Sequence, residues 1–141
     1  FMRKFSRTFF GIAAVIACFA CAVFAYALTR MPLFDGNGYE FSVRSSSSAQ
    51  IVRTDSPYLY KLFHRVAGES ARFSGNAFES LRTRFRAEVI FTEESCGVVN
   101  YYCFSPLLGK GIALCGEEIN LHIAVGKEQT AVGSPIIFGG F

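Results

Sequence analysis

Reactive chemistry in this chain would have to come from a short roster. The sequence has five cysteines and two histidines, His64 and His122. A thiol enzyme needs a cysteine nucleophile, a histidine base and a group that orients the base. Cys96 or Cys103 with His122 and Asn120 is the one set of suitable types. Asn120 and His122 stand two apart in an alternating run, which predicts that both project from one strand face. The plainer reading is an exposed or hydrogen-bonded strand histidine. The same cysteines allow oxidation instead. A hairpin centred near Gly109 would bring Cys103 beside Cys115 as a disulfide; Cys96 with Cys103 is the alternative. Three is an odd number, so one thiol remains, and in an anaerobic host all three stay reduced. Cys18 and Cys21 lie inside an apolar segment and read as small apolar residues. Cys96, Cys103 and Cys115 lack Cys-x-x-Cys spacing and two histidines are few, which argues against zinc. Gly109-Lys110-Gly111 is too short for a phosphate-binding loop. Glu93-Glu94 and Glu117-Glu118 are neighbours that would point to opposite strand faces, so neither is an acid/base pair. No metal and no cofactor are expected.

Two segments suggest binding instead. Arg82 and Arg86 lie four apart on a predicted helix, with Arg84 beyond them. They read as a solvated face complementing the helix dipole, or as a patch for anionic lipid headgroups or wall polymers. The C-terminal run Pro135-Ile136-Ile137-Phe138 is apolar. Ile136 and Phe138 either pack inside or present a sheet edge to which a partner adds a strand.

The elements that position these residues begin with a membrane segment. Phe9 to Leu28 are twenty residues without a charge, preceded by Arg3, Lys4 and Arg7 and followed by Arg30. As a helix the stretch spans about 30 Å, the thickness of a bilayer's hydrocarbon core. Three readings fit it. One is a signal-anchor with its N-terminus in the cytoplasm. Another is a signal peptide cleaved after Ala25-Tyr26-Ala27. The third is a lipoprotein signal at Val15-Ile16-Ala17-Cys18. Each sends the rest of the chain across the membrane. The formal charge of +3 belongs to this end: residues 31–141 hold ten basic and eleven acidic residues. A near-neutral domain argues against a nucleic-acid partner. The expected partners are the membrane and an envelope protein.

Residues 1–30 are thus the signal-anchor or signal peptide, 31–38 a linker, and 39–141 an extracytoplasmic α+β domain. Tyr39 to Arg44 and Ala49 to Thr54 read as a hairpin across the serine tract Ser45–Ser48. Ser56 is a predicted N-cap with Pro57 at N1, and Leu59, Leu62, Phe63 and Val66 form a core-facing stripe. Glu69 to Phe73 is a short strand or extended connection. Asn76 and Glu79 predict a capping box, with Phe78, Leu81 and Phe85 on the buried face of a second helix. Strands follow over 88–93, 98–104, 112–114, 119–125 and 131–138, the last at an edge or bulged because Pro135 lacks a donor. The expected architecture is a transmembrane helix, then a mainly antiparallel sheet with two helices packed on one face.

The runs Phe104-Ser105-Pro106, Gly116-Glu117-Glu118-Ile119-Asn120-Leu121-His122-Ile123-Ala124-Val125 and Gly133-Ser134-Pro135-Ile136-Ile137 resemble the C-terminal part of the YwmB-like proteins of spore-forming Firmicutes. Those proteins are described as having a TATA-box-binding-protein-like fold. The resemblance implies a secreted or anchored sheet-and-helix domain and assigns no functional residue. Together these readings predict a membrane-anchored binding or scaffold domain of the cell envelope, associated with sporulation. The alternative is an envelope hydrolase or thiol enzyme using Cys103 and His122.

Overall fold

A computed structural model describes residues 2–43 and 50–139. The serine tract, Arg44 and Ala49 lie outside the described residues, so only the strands of the predicted hairpin are seen. The chain divides into two units, Phe1–Met31 and Pro32–Phe141. The first is one helix, α1 (Met2–Thr29). Within it Ser6–Thr29 is long and apolar enough to cross a membrane. Its large side chains, among them Phe9, Val15, Phe19 and Phe24, are exposed.

The second unit is α+β. Its strands are β1 (Asn37–Ser42), β2 (Ile51–Arg53), β3 (Gly68–Ser74), β4 (Glu88–Ser95), β5 (Val98–Phe104), β6 (Ile112–Leu114), β7 (Glu117–Ile119), β8 (Leu121–Val125) and β9 (Gln129–Ser134). Seven form one sheet in the order β2-β1-β3-β9-β8-β5-β4, and β6 and β7 form a separate ribbon. Every pairing is antiparallel. Helices α2 (Pro57–Phe63) and α3 (Phe78–Arg84) stand before and after β3 in the chain.

Strand alternation divides the sheet into two faces. On the first, Tyr101 pairs with Ile123, Ile123 with Val132 and Val132 with Ala71. These residues join Phe41, Cys103 and Leu121 in a core that takes Leu81, Phe85, Tyr60 and Phe78 from the helical segments. On the second face a row runs Tyr102–His122–Gly133–Ser70–Glu40–Arg53, each paired with the next.

Several expectations are corrected. Ser56 makes no side-chain cap, although Pro57 does open α2. The capping box does not form: Asn76 Oδ1 accepts from the Phe78 N–H, and Glu79 pairs with Arg82. The single strand expected over 119–125 is broken at Asn120, which leaves β7 and β8. The linker is mostly part of the fold. Phe34 is buried, with its ring 5.5 Å from that of Phe85.

β9 is central, between β3 and β8, and not at an edge. Pro135 lies just past its end, so no ladder donor is lost. The chain then doubles back over the second face. A Cβ at Gly133 would meet Ile136 O at 2.7 Å, and one at Gly68 would meet the Phe138 ring at 2.7 Å. Gly139 rests against the Glu40 carboxylate. Residues 135–139 therefore cover the sheet's second face, and the edges are β2 and β4.

The helix α2 is turned over. Its inner side carries Tyr60, whose ring stacks on Phe41 at 5.2 Å, and Lys61, 8% exposed. Leu59 and Phe63, expected in the core, are 57% and 77% exposed. At about 100° per residue, 57, 60 and 61 share one side and 59 and 63 the other.

Candidate functional site

The thiol set does not converge. Cys103 pairs with Leu121 on the first face, and Tyr102 pairs with His122 on the second, so the sheet lies between thiol and imidazole. Cys103 is fully buried, and burial pushes its thiol up to about 11, which disfavours the thiolate a nucleophile needs. Asn120 lies between strands. Its Oδ1 accepts from the Ser105 N–H, and its Nδ2 donates to Ser105 O and Gly109 O. Ser105 Oγ in turn donates to Phe85 O. Asn120 therefore holds the loop after β5 to the break between β7 and β8, Ser105 ties that loop to the segment after α3, and the amide is spent on structure.

All five cysteines are free, so the expected Cys103–Cys115 bridge is corrected. Cys115-Gly116 is a two-residue turn joining β6 to β7, with both residues at positive φ. Cys96-Gly97 repeats that geometry between β4 and β5. Both match the turn that two-residue hairpins favour. Cys115 approaches Tyr102, whose hydroxyl is raised by burial, then by the Glu93 charge and hydrogen bond, then by Cys115. Cys103 is buried in the core, whereas Cys115 is exposed in the turn of the separate β6–β7 ribbon.

His122 is part of a stack of rings. Its imidazole lies 4.5 Å from Tyr102, and Tyr102 lies 4.5 Å from Phe91. Nε2 is 3.0 Å from Asn100 Oδ1, and Nδ1 accepts from the Ile137 N–H at 3.3 Å. That pair of bonds assigns the Nε2–H tautomer. Burial lowers the imidazole to about 4, so it is neutral at physiological pH. Ile136 and Phe138 thus belong to a strap held through Ile137 by His122, and not to a free edge.

The arginines divide. Arg82 pairs with Glu79 at 3.4 Å. Arg84 pairs with Asp35 at 2.5 Å, donates to Leu33 O and lies 5.4 Å from the Phe85 ring centre. The hydrogen bond from Arg84 holds the Asp35 carboxyl below its usual value. Arg86 follows α3 at positive φ. Arg84 therefore clasps the residues that come after α1 in the chain.

A buried polar cluster completes that clasp, and sequence reading missed it. Glu69 takes Lys61 Nζ on Oε1 at 2.5 Å; its Oε2 accepts from Tyr39 Oη at 2.6 Å and from the Leu33 N–H at 3.3 Å. Tyr39 Oη accepts from the Phe34 N–H. Burial, followed by the neighbouring Glu69 charge, drives the Tyr39 hydroxyl strongly upward. The signal available in sequence was a lone lysine at an inward position of a helix.

One open groove of about 650 Å³ lies where β1 starts, β3 ends and β8 turns into β9. Asn37, Arg72, Phe73, Lys127, Glu128 and Gln129 line it. Its charged and amide groups suit a polar ligand or chain segment. Among the described residues no three or more His, Cys, Asp or Glu gather as a metal site. Compared with protein-family models, curated proteins and solved structures, the chain matches none.

Proposed function

We propose that this chain is a membrane-anchored domain of the cell envelope that works by binding, with the unit from Pro32 onward outside the cytoplasm. The observation that carries the proposal is α1, a helix with apolar side chains exposed along its length. Arg3, Lys4 and Arg7 precede its apolar stretch and Arg30 follows it, the imbalance that retains an N-terminus inside. A binding role is favoured over catalysis because Cys103, His122 and Asn120 are each used elsewhere in the fold, whereas the groove beside Arg72 and Lys127 is open. The ligand is a polar segment of an envelope protein. A near-neutral domain does not suit nucleic acid. The YwmB-like resemblance supplies the sporulation context.

Two measurements test this. A reporter active only after export, fused behind residue 141, is expected to be active; a signal confined to a cytoplasmic reporter overturns the orientation. A photo-crosslinking residue at Lys127 is expected to capture an envelope protein that the same residue at Lys110 does not. Equal capture from both sites, or none, removes the groove from the function.

A further inference from the structure

Helix α2 presents its apolar residues outward. Tyr58, Leu59 and Phe63 are 38%, 57% and 77% exposed, while Lys61 is buried on the opposite side. The inward lysine is fixed by Glu69, and Tyr60 is fixed by stacking on Phe41, so the helix cannot roll to hide the outer residues without breaking both contacts. Water is a poor solvent for such a face.

We propose that the outer face of α2 is a second membrane contact, seated in the interfacial layer of the bilayer beside the headgroups. The proposal rests on the reading of α1 as a membrane-crossing helix. Covalent distance supports it. Glu69 holds α2 through Lys61 with one carboxylate oxygen and the Leu33 N–H with the other. Only Arg30, Met31 and Pro32 separate Leu33 from the end of α1. Four residue steps reach no more than about 14 Å. The headgroup layer is itself roughly 5–8 Å thick on each side. With α1 spanning the bilayer, the chain carries Leu33, which Glu69 links to Lys61, no farther than that reach from the end of the helix.

The side-chain types agree. An interfacial helix buries Leu and Phe in the outer acyl region and keeps basic residues among the headgroups. Tyr belongs at that boundary. Leu59 and Phe63 fill the first role and Tyr58 the last. Arg65, exposed just past the end of the helix, supplies charge that complements anionic lipid, while Arg53 on the other flank is paired with Glu40 at 2.7 Å. Arg84, through Asp35, fixes the connecting segment from the other side.

The chain contains no tryptophan, so a single introduced one reports its own surroundings. The full chain is reconstituted in phosphatidylcholine–phosphatidylglycerol vesicles with bromine on the upper acyl carbons in one set, for the interface, and near the acyl termini in another, for the bilayer centre where Phe19 would lie. Phe63→Trp is expected to emit blue-shifted light and to lose about half or more of its intensity to the bromolipid, as insertion by roughly 5–10 Å requires. Leu107→Trp, on an exposed loop, is the reference and should keep its intensity. Phe19→Trp, within α1, tests the parent reading separately. Quenching at Phe19→Trp without quenching at Phe63→Trp overturns the α2 contact and leaves the anchor standing. Absence of quenching at both refutes the anchor as well. A blue shift at Phe63→Trp that is insensitive to bromolipid means that protein covers α2, a second copy or a partner, and that result also overturns the proposal.

Discussion

Replacing Lys61 by Met tests the clasp between the sheet and the start of the folded unit. The Lys61 and Glu69 side chains are 10% and 4% exposed, and their charged atoms are 2.5 Å apart. Methionine keeps most of the volume but leaves the Glu69 carboxylate without its cation. Removing one partner of a buried pair costs about 3–5 kcal/mol. Glu69 keeps the hydrogen bonds from Tyr39 Oη and the Leu33 N–H, which places this site at the low end, about 3 kcal/mol. For a domain of this size each kcal/mol moves the midpoint by roughly 4–8 °C, so Lys61→Met should melt roughly 12–24 °C lower. The assay is thermal unfolding of the full chain in detergent, followed by near-ultraviolet dichroism of its tyrosines. A double-mutant cycle with Glu69→Gln should return a coupling of at least about 2 kcal/mol. Amide exchange at Leu33 and Phe34 should accelerate in Lys61→Met, since both amides hang on the same network. A variant as stable as the parent, with those amides still protected, would refute the reasoning.

Two further outcomes follow from burial. His122 is held at about 4 against an ordinary 6.5, so the unfolded chain binds the proton first. Its contribution is fully present above about pH 6.5 and is lost as pH falls through about 4, up to about 3 kcal/mol across that window. His122→Phe should flatten that part of the urea-midpoint profile, and an NMR titration giving an ordinary histidine value would sink the assignment. Cys103, fully buried and pushed up to about 11, should resist iodoacetamide at about pH 8 while the exposed Cys96 and Cys115 react. Mass spectrometry that finds Cys103 labelled in the folded protein would count against the buried assignment.

Much of the fold was legible because it is written locally. The alternation from Val98 to Phe104 and the triplet Ile112–Leu114 match β5 and β6. Pro57 does open α2, and Leu81 and Phe85 do face the core. The candidate site was far less legible. Asn120 and His122 looked like companions on one strand, but the backbone breaks at Asn120, whose side chain binds the Ser105 loop. Cys103 and Cys115 looked like partners across a hairpin, but Cys115 sits exposed in the turn of a separate two-stranded ribbon while Cys103 is buried in the core. The stripe Leu59-Leu62-Phe63 had the right period for a core helix, and period alone cannot say which side faces in.

By itself the sequence determined a membrane-length apolar helix, a near-neutral α+β domain behind it and the approximate chain positions of most strands. Those follow from hydropathy, charge and period, which act over a few residues. The tertiary structure alone decided that β9 is central, that its tail straps the second face, that Lys61 points inward and Phe63 outward, and that Leu33 and Phe34 are locked into the domain. Each of these depends on partners distant in sequence: β9 on β3, Ile137 on His122, Lys61 and Leu33 on Glu69. A carboxylate enclosed without its cation is costly, so with Glu69 buried Lys61 faces it, Tyr60 stacks on Phe41, and Phe63 is left in the open.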